Sequence, residues 1–144
     1  DGVPYIQYLG VRIDRRGDEL TAILPYADKL IGNPMLPALH GGVTAAFLEV
    51  PAVITLSLAH LWEDIESGAL DFEAEETPTL PRLPKTVDFS VDYLRAGFPR
   101  DAYARARINR AGRRYASVHV EGWQDNRDRL FAQGTGHFVM PQRR

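Results

Sequence analysis

Val43, Ala46, Phe47, Val50, Ile54 and Leu58 recur at spacings of three and four. That is the period of one apolar helix face, so the pattern predicts a helix over 43–59. Two residues interrupt it. Pro51 removes a backbone donor and crowds the carbonyl of Phe47, which predicts a kink. Glu49 is the one acid in the apolar run. Elsewhere the period is two. Val11 and Ile13 alternate with Arg12 and Asp14, and Leu20, Ala22 and Leu24 form the next strand after a turn at 15–18. Residues 3–9 read as one or two helical turns with Pro4 near the start and Gly10 as the stop. Residues 28–39, with Gly32, Asn33, Pro34 and Pro37, have loop composition.

From Lys85 onward four strands follow. Val87, Phe89, Val91 and Tyr93 alternate with Asp88, Ser90 and Asp92. Strands over 102–108, 115–123 and 130–140 are separated by turns at 111–113 and 125–128. In the third of these four, Tyr115, Ser117, His119, Glu121 and Trp123 share one face and Ala116, Val118 and Val120 the other. The order β–β–helix–β–β–β–β predicts an α+β fold, with a curved antiparallel sheet of about six strands around one long helix. No repeat or linker divides the chain, so 1–144 reads as a single domain. The segment 61–84, with seven acids and Pro78, Pro81 and Pro84, reads as the helix end followed by an acidic loop insertion.

Composition narrows the function. With 17 Lys+Arg against 19 Asp+Glu the net charge is −2, which argues against nucleic acid as the main partner. Apolar content of 44% excludes a disordered chain. Polar interruptions keep every apolar run short of the ~18 residues a bilayer span needs, so no membrane partner is expected. Cysteine is absent, which excludes disulfides and thiolate chemistry and leaves the redox compartment undetermined. No leader pattern is visible, and a cytoplasmic location is the expectation. His60, His119 and His137 have no metal-ligand spacing, so no metal is expected.

His40-Gly41-Gly42-Val43 opens the helix, Glu49 follows nine residues after the His, and Val87–Arg95 reads VDFSVDYLR. With GRR at a turn and GTGHFVM closing the last strand, the chain resembles the hotdog-fold acyl-CoA thioesterases of the PaaI-like type. The resemblance covers most of the chain. It implies a hotdog fold, hydrolysis of an acyl-CoA to free acid and CoA, a medium-chain or aryl acyl group, and no cofactor, since CoA belongs to the substrate. It also implies a homodimer, with a dimer of dimers as a further option. Family members commonly carry Asp where this chain has Glu49, and Asn six rather than seven residues before the His, where Asn33 stands. Thr86 falls where the family often positions a water with Ser or Thr.

The chemistry asks for a carboxylate that attacks the carbonyl or activates water, and for donors to the oxyanion. Glu49 fits the first role; a solvent-facing or Arg-paired Glu is the ordinary reading. Gly41 and Gly42 stand where a helix start leaves N–H groups unbonded at the positive end of the dipole, although glycines also ease a tight helix entry. His40 polarises the carbonyl or buttresses the loop. Asn33 orients a nucleophile or forms a turn, and Thr86 positions water or simply starts a strand. Arg95, Arg100, Arg113 and Arg114 lie at strand ends and turns, suited to CoA phosphates or to plain solvation.

Gly41 and Glu49 are eight residues apart, ~12 Å along one helix. Both must come within about 3 Å of one carbonyl group. Two antiparallel helices across a two-fold axis satisfy this, so the spacing predicts an obligate homodimer with two shared sites. Edge strands of the two sheets then join, covering both edges. Two other functions share these residues: a non-hydrolytic acyl-CoA-binding module, and an enoyl-CoA hydratase or dehydratase using His40 with Glu49.

Overall fold

The computed structural model describes residues 3–17, 19–66 and 83–141. Pro4 opens helix α1 (Pro4–Leu9), and Gly10 closes it in the left-handed region at φ 76°, its N–H bonded to the carbonyls of Ile6 and Gln7. Strands β1 (Arg12–Arg16) and β2 (Glu19–Leu24) pair as an antiparallel hairpin. Residues 28–39 are more ordered than their composition predicts. A 3-10 turn (Asp28–Leu30) leads into a small hairpin of β3 (Ile31–Asn33) and β4 (Ala38–Leu39), with both prolines at its tip. Proline lacks only its own N–H, which a hairpin tip does not need.

Helix α2 (Gly41–Glu66) is one helix of 26 residues. It begins two residues before the predicted start and passes through Pro51 without ending. Pro51 is fully buried, so its ring packs in the core and offsets the lost hydrogen bond. Gly41–Trp62 is long and apolar enough to cross a membrane by length and composition, contrary to the expectation from its polar interruptions. Its apolar face is covered by protein here: Phe47, Leu48, Ala52 and Leu56 are each at most 1% exposed. The proposed acidic loop beyond the helix lies outside the described residues over 67–82.

Strands β5 (Lys85–Tyr93), β6 (Ala102–Ala111), β7 (Tyr115–Trp123) and β8 (Ala132–Val139) complete the sheet. Its order is β1-β2-β6-β7-β8-β5, all antiparallel. The α+β architecture is the one predicted. The inner face carries small residues where α2 lies closest: Ala22, Ala104, Ala116 and Ala132 are buried beside Val118 and Val120. Leaving β5 at the end of the order gives it one unpaired edge, and its residues are mostly exposed.

On the outer face Glu121 receives a hydrogen bond from Arg127 at 3.0 Å and faces His119 at 3.5 Å. Burial alone would raise its carboxyl, but the Arg127 hydrogen bond and charge, with His119, outweigh this and hold its pKa below the ordinary value. The resulting stability is present above the unfolded carboxylate pKa and lost as pH falls through the lower folded value. Replacing Glu121 by Gln should therefore cost roughly 0.5–1 kcal/mol at neutral pH and flatten the acid side of the stability profile, read by urea unfolding between pH 7 and pH 3.

Candidate active site

The start of α2 is held by its own first residues. The His40 carbonyl accepts the Thr44 N–H at 3.0 Å, and the His40 N–H donates to Leu30 at 2.8 Å. The imidazole caps the helix: Nδ1 accepts the Gly42 N–H at 2.9 Å. A histidine whose Nδ1 accepts is the Nε2–H tautomer when neutral, so its outer nitrogen is a donor. A methyl group on Gly42 would stand 3.1 Å from Nδ1, which is why glycine suits this close approach. Across the same peptide, the Tyr93 hydroxyl donates to the Gly41 carbonyl at 2.7 Å. The Gly41–Gly42 peptide is thus fixed at both ends, and the Gly42 N–H is already used.

The Gly41 N–H is different. No acceptor among the described residues takes it, and it stands at the first turn of a 26-residue helix, where the dipole favours negative charge. Its neighbouring peptides are locked, so it is a fixed, open donor. In the sequence Tyr93 is one alternating position of a strand; only the register of β5 against the helix start brings its hydroxyl here. Losing that hydroxyl removes one hydrogen bond of about 1 kcal/mol. In Tyr93→Phe we expect kcat to fall about fivefold with KM nearly constant, measured by steady-state kinetics.

Glu49 lies elsewhere. It is half-buried, with no hydrogen-bond or ion-pair partner among the described residues. It lines a cleft of about 1230 Å³ between α1, β1, α2 and the start of β5. Ile6, Val11, Val50, Val53, Ile54 and Phe89 make the cleft largely apolar, and Thr86 and Arg12 also line it. Thr86 and Glu49 therefore line the same cleft. His40, Gly41 and Gly42 stand at the helix start, outside that cleft, with Asn33 in the hairpin that leads into it.

The Asn33 carboxamide oxygen accepts the Met35 N–H at 2.9 Å, closing the turn at the hairpin tip. The arginines do not form one cluster. Arg95 donates to the Leu130 carbonyl at 2.9 Å, and Arg100 pairs with Asp125. Arg113 and Arg114 lie at the opposite end of the sheet, in the β6–β7 turn. They line a cleft of about 570 Å³ with Leu56, His60 and Met140, and no ion pair involves them among the described residues.

One long helix enfolded by a six-stranded antiparallel sheet is a hotdog fold. The chain belongs to the Thioesterase superfamily, whose family model matches residues 36–131. Among its relatives is a medium/long-chain acyl-CoA thioesterase, YigI, of Salmonella typhimurium, 30% identical over 141 residues, spanning 96% of this chain and 86% of the relative. A solved protein structure from Chromobacterium violaceum is 32% identical, covers 97% of this chain and 85% of its own, and superposes with a TM-score of 0.66. A Bacillus halodurans protein solved with CoA shares the fold at 20% identity and a TM-score of 0.70, covering 99% of this chain and 82% of its own.

Proposed function

We propose that this thioesterase hydrolyses medium- or long-chain acyl-CoA to free acid and CoA, in sites shared between two copies of the chain. One observation carries the reading: the half-buried Glu49 and the Gly41 amide, both without a partner among the described residues, lie ~12 Å apart along one helix, too far to serve one carbonyl. Two antiparallel copies of α2 bring Gly41 of one chain to Glu49 of the other, twice. The unpaired β5 edges then join two sheets into one and remove an exposed edge.

In such a site the Gly41 N–H and the helix dipole hold the thioester oxygen as it gains charge. Glu49 either attacks the carbonyl carbon, expelling CoA thiolate and leaving an acyl–Glu49 anhydride that water hydrolyses with its proton passing to the thiolate, or takes a proton from water that attacks in its place; Thr86, which lines the same cleft, would orient that water. In the water route the tetrahedral intermediate collapses to the acid, and the CoA thiolate leaves with the proton Glu49 had accepted. His40 fixes the helix start and offers Nε2–H. Asn33 braces the adjoining hairpin. Arg113 and Arg114, unpaired among the described residues, suit CoA phosphates. The apolar cleft suits an extended acyl chain, the substrate class named for the Salmonella relative.

A panel of acyl-CoAs from acetyl to palmitoyl, assayed with a thiol-reactive dye, tests this. Thiol release that rises with chain length is expected. Binding without release, or turnover of enoyl-CoA by hydration instead, would contradict it.

A further inference from the structure

Strand β5 changes phase near its start. From Asp88, opposite His137, to Tyr93, opposite Ala132, it pairs with β8 residue for residue. Thr86 then stands opposite Phe138, so Val87 has no partner of its own and the register slips between Thr86 and Asp88. This is a β-bulge, in which Val87 and Asp88 together oppose His137.

Each side of the bulge is anchored separately. On the far side the Phe89 ring sits against Gly134 and Gly136 on the inner face. On the outer face Asp88 Oδ1 and His137 Nδ1 lie 2.6 Å apart. On the near side Pro84 is buried, and Thr86 shares a face with its cross-strand partner Phe138, which is fully buried. Pro84 and Phe89 are five residues apart, an odd spacing that strict alternation would send to opposite faces. Yet both line the cleft of Glu49, and the extra residue reconciles them. In a regular strand counted back from Phe89, Val87 would face the cleft and Thr86 would turn away. Instead Val87 is 58% exposed and lines an outer cleft with Tyr115, Ser117 and His137. Thr86, whose hydroxyl has no partner among the described residues, lines the cleft of Glu49.

We propose that this bulge selects which residue faces the reacting water: it absorbs Val87 on the outer face, so that the hydroxyl of Thr86 and not the isopropyl group of Val87 enters the site. The inference rests on the role given to Thr86 above. The bulge itself touches no substrate; it acts by positioning Thr86.

Two single-residue deletions, assayed on dodecanoyl-CoA, test this. Both shorten β5 by one residue, remove the bulge and leave Pro84 and Phe89 in phase. Deleting Val87 keeps Thr86 opposite Phe138, so kcat should stay within about twofold of wild type. Deleting Lys85 brings Val87 opposite Phe138 and turns Thr86 outward. There kcat should fall about tenfold, as in Thr86→Val, with KM nearly constant. Adding Val87→Thr to the Lys85 deletion should restore kcat, because the new hydroxyl takes the place that Thr86 had. A fourth variant needs no deletion: Thr86→Val with Val87→Thr in the full-length chain keeps the bulge and should be as slow as Thr86→Val alone. Equal kcat in the two deletions, no rescue by Val87→Thr, or recovery in the full-length swap would each overturn the inference. Failure of the underlying reading is separately visible, since Thr86→Val alone would then leave kcat unchanged, and the inference would fall with it.

Discussion

Replacing Glu49 by Gln is expected to lower kcat by about a thousandfold while leaving the protein as stable as before. A positioned acid–base group contributes typically 10²–10⁴ in rate, and a carboxylate nucleophile at least as much. Stability should hold because the side chain has no hydrogen bond or ion pair to lose among the described residues. Gln matches its shape and avoids holding a charge against the apolar cleft, so Tm should stay level or rise slightly. Steady-state kinetics on dodecanoyl-CoA with parallel thermal unfolding check both parts. A large loss of stability would mean that Glu49 is a structural residue. Unchanged turnover would remove it from the chemistry.

The largest structural effect is expected at Gly136. It lies on the inner face of β8, where an added methyl group would stand 2.7 Å from atoms of both the Phe138 and Phe89 rings. Gly134, two residues earlier on the same face, faces the Phe89 ring at 2.9 Å. The two glycines are thus the seat of Phe89, which in turn forms part of the wall beside Glu49. Phe138 is fully buried and cannot swing away. Gly136→Ala should cost about 2–3 kcal/mol through overpacking, a fall in Tm of roughly 5–10 °C for a domain of this size. Adding Phe89→Leu should recover part of that loss, because it relieves one of the two clashes; the double-mutant cycle measures the coupling.

These residues also show what the sequence could and could not reveal. The alternation in β7 put Ala116, Val118 and Val120 together on one face, and all three are buried. The element order led to the six-stranded sheet and its central helix because period two and period 3.6 are both strong in this chain. The small hairpin over 31–39 was hidden by its prolines, which mark a turn but do not say whether paired strands flank it. Pro51 was legible as a lost backbone donor, which is local, whereas the burial of its ring in the core is not.

Glu49 was legible as the one acid in an apolar run, and His40-Gly41-Gly42 as a helix entry. Which glycine keeps a free amide was not, since that depends on the His40 ring taking the Gly42 N–H. The role of Tyr93 was equally hidden: it lies 52 residues beyond Gly41 and meets it only through the register of the folded strand. All four arginines stand at strand ends or turns in the sequence, which does not say which end of the sheet each occupies; Arg95 and Arg113 lie at opposite ends of β5 and its neighbours.

A crystal structure with a thioether analogue of dodecanoyl-CoA, carrying a carbonyl beside the non-cleavable carbon, tests whether each site draws on two subunits. The analogue's carbonyl oxygen is expected about 3 Å from the Gly41 N–H of one subunit, with the Glu49 carboxylate of the other subunit facing its carbonyl carbon. A complex in which both contacts come from one chain, or in which Glu49 turns away into bulk water, would contradict it.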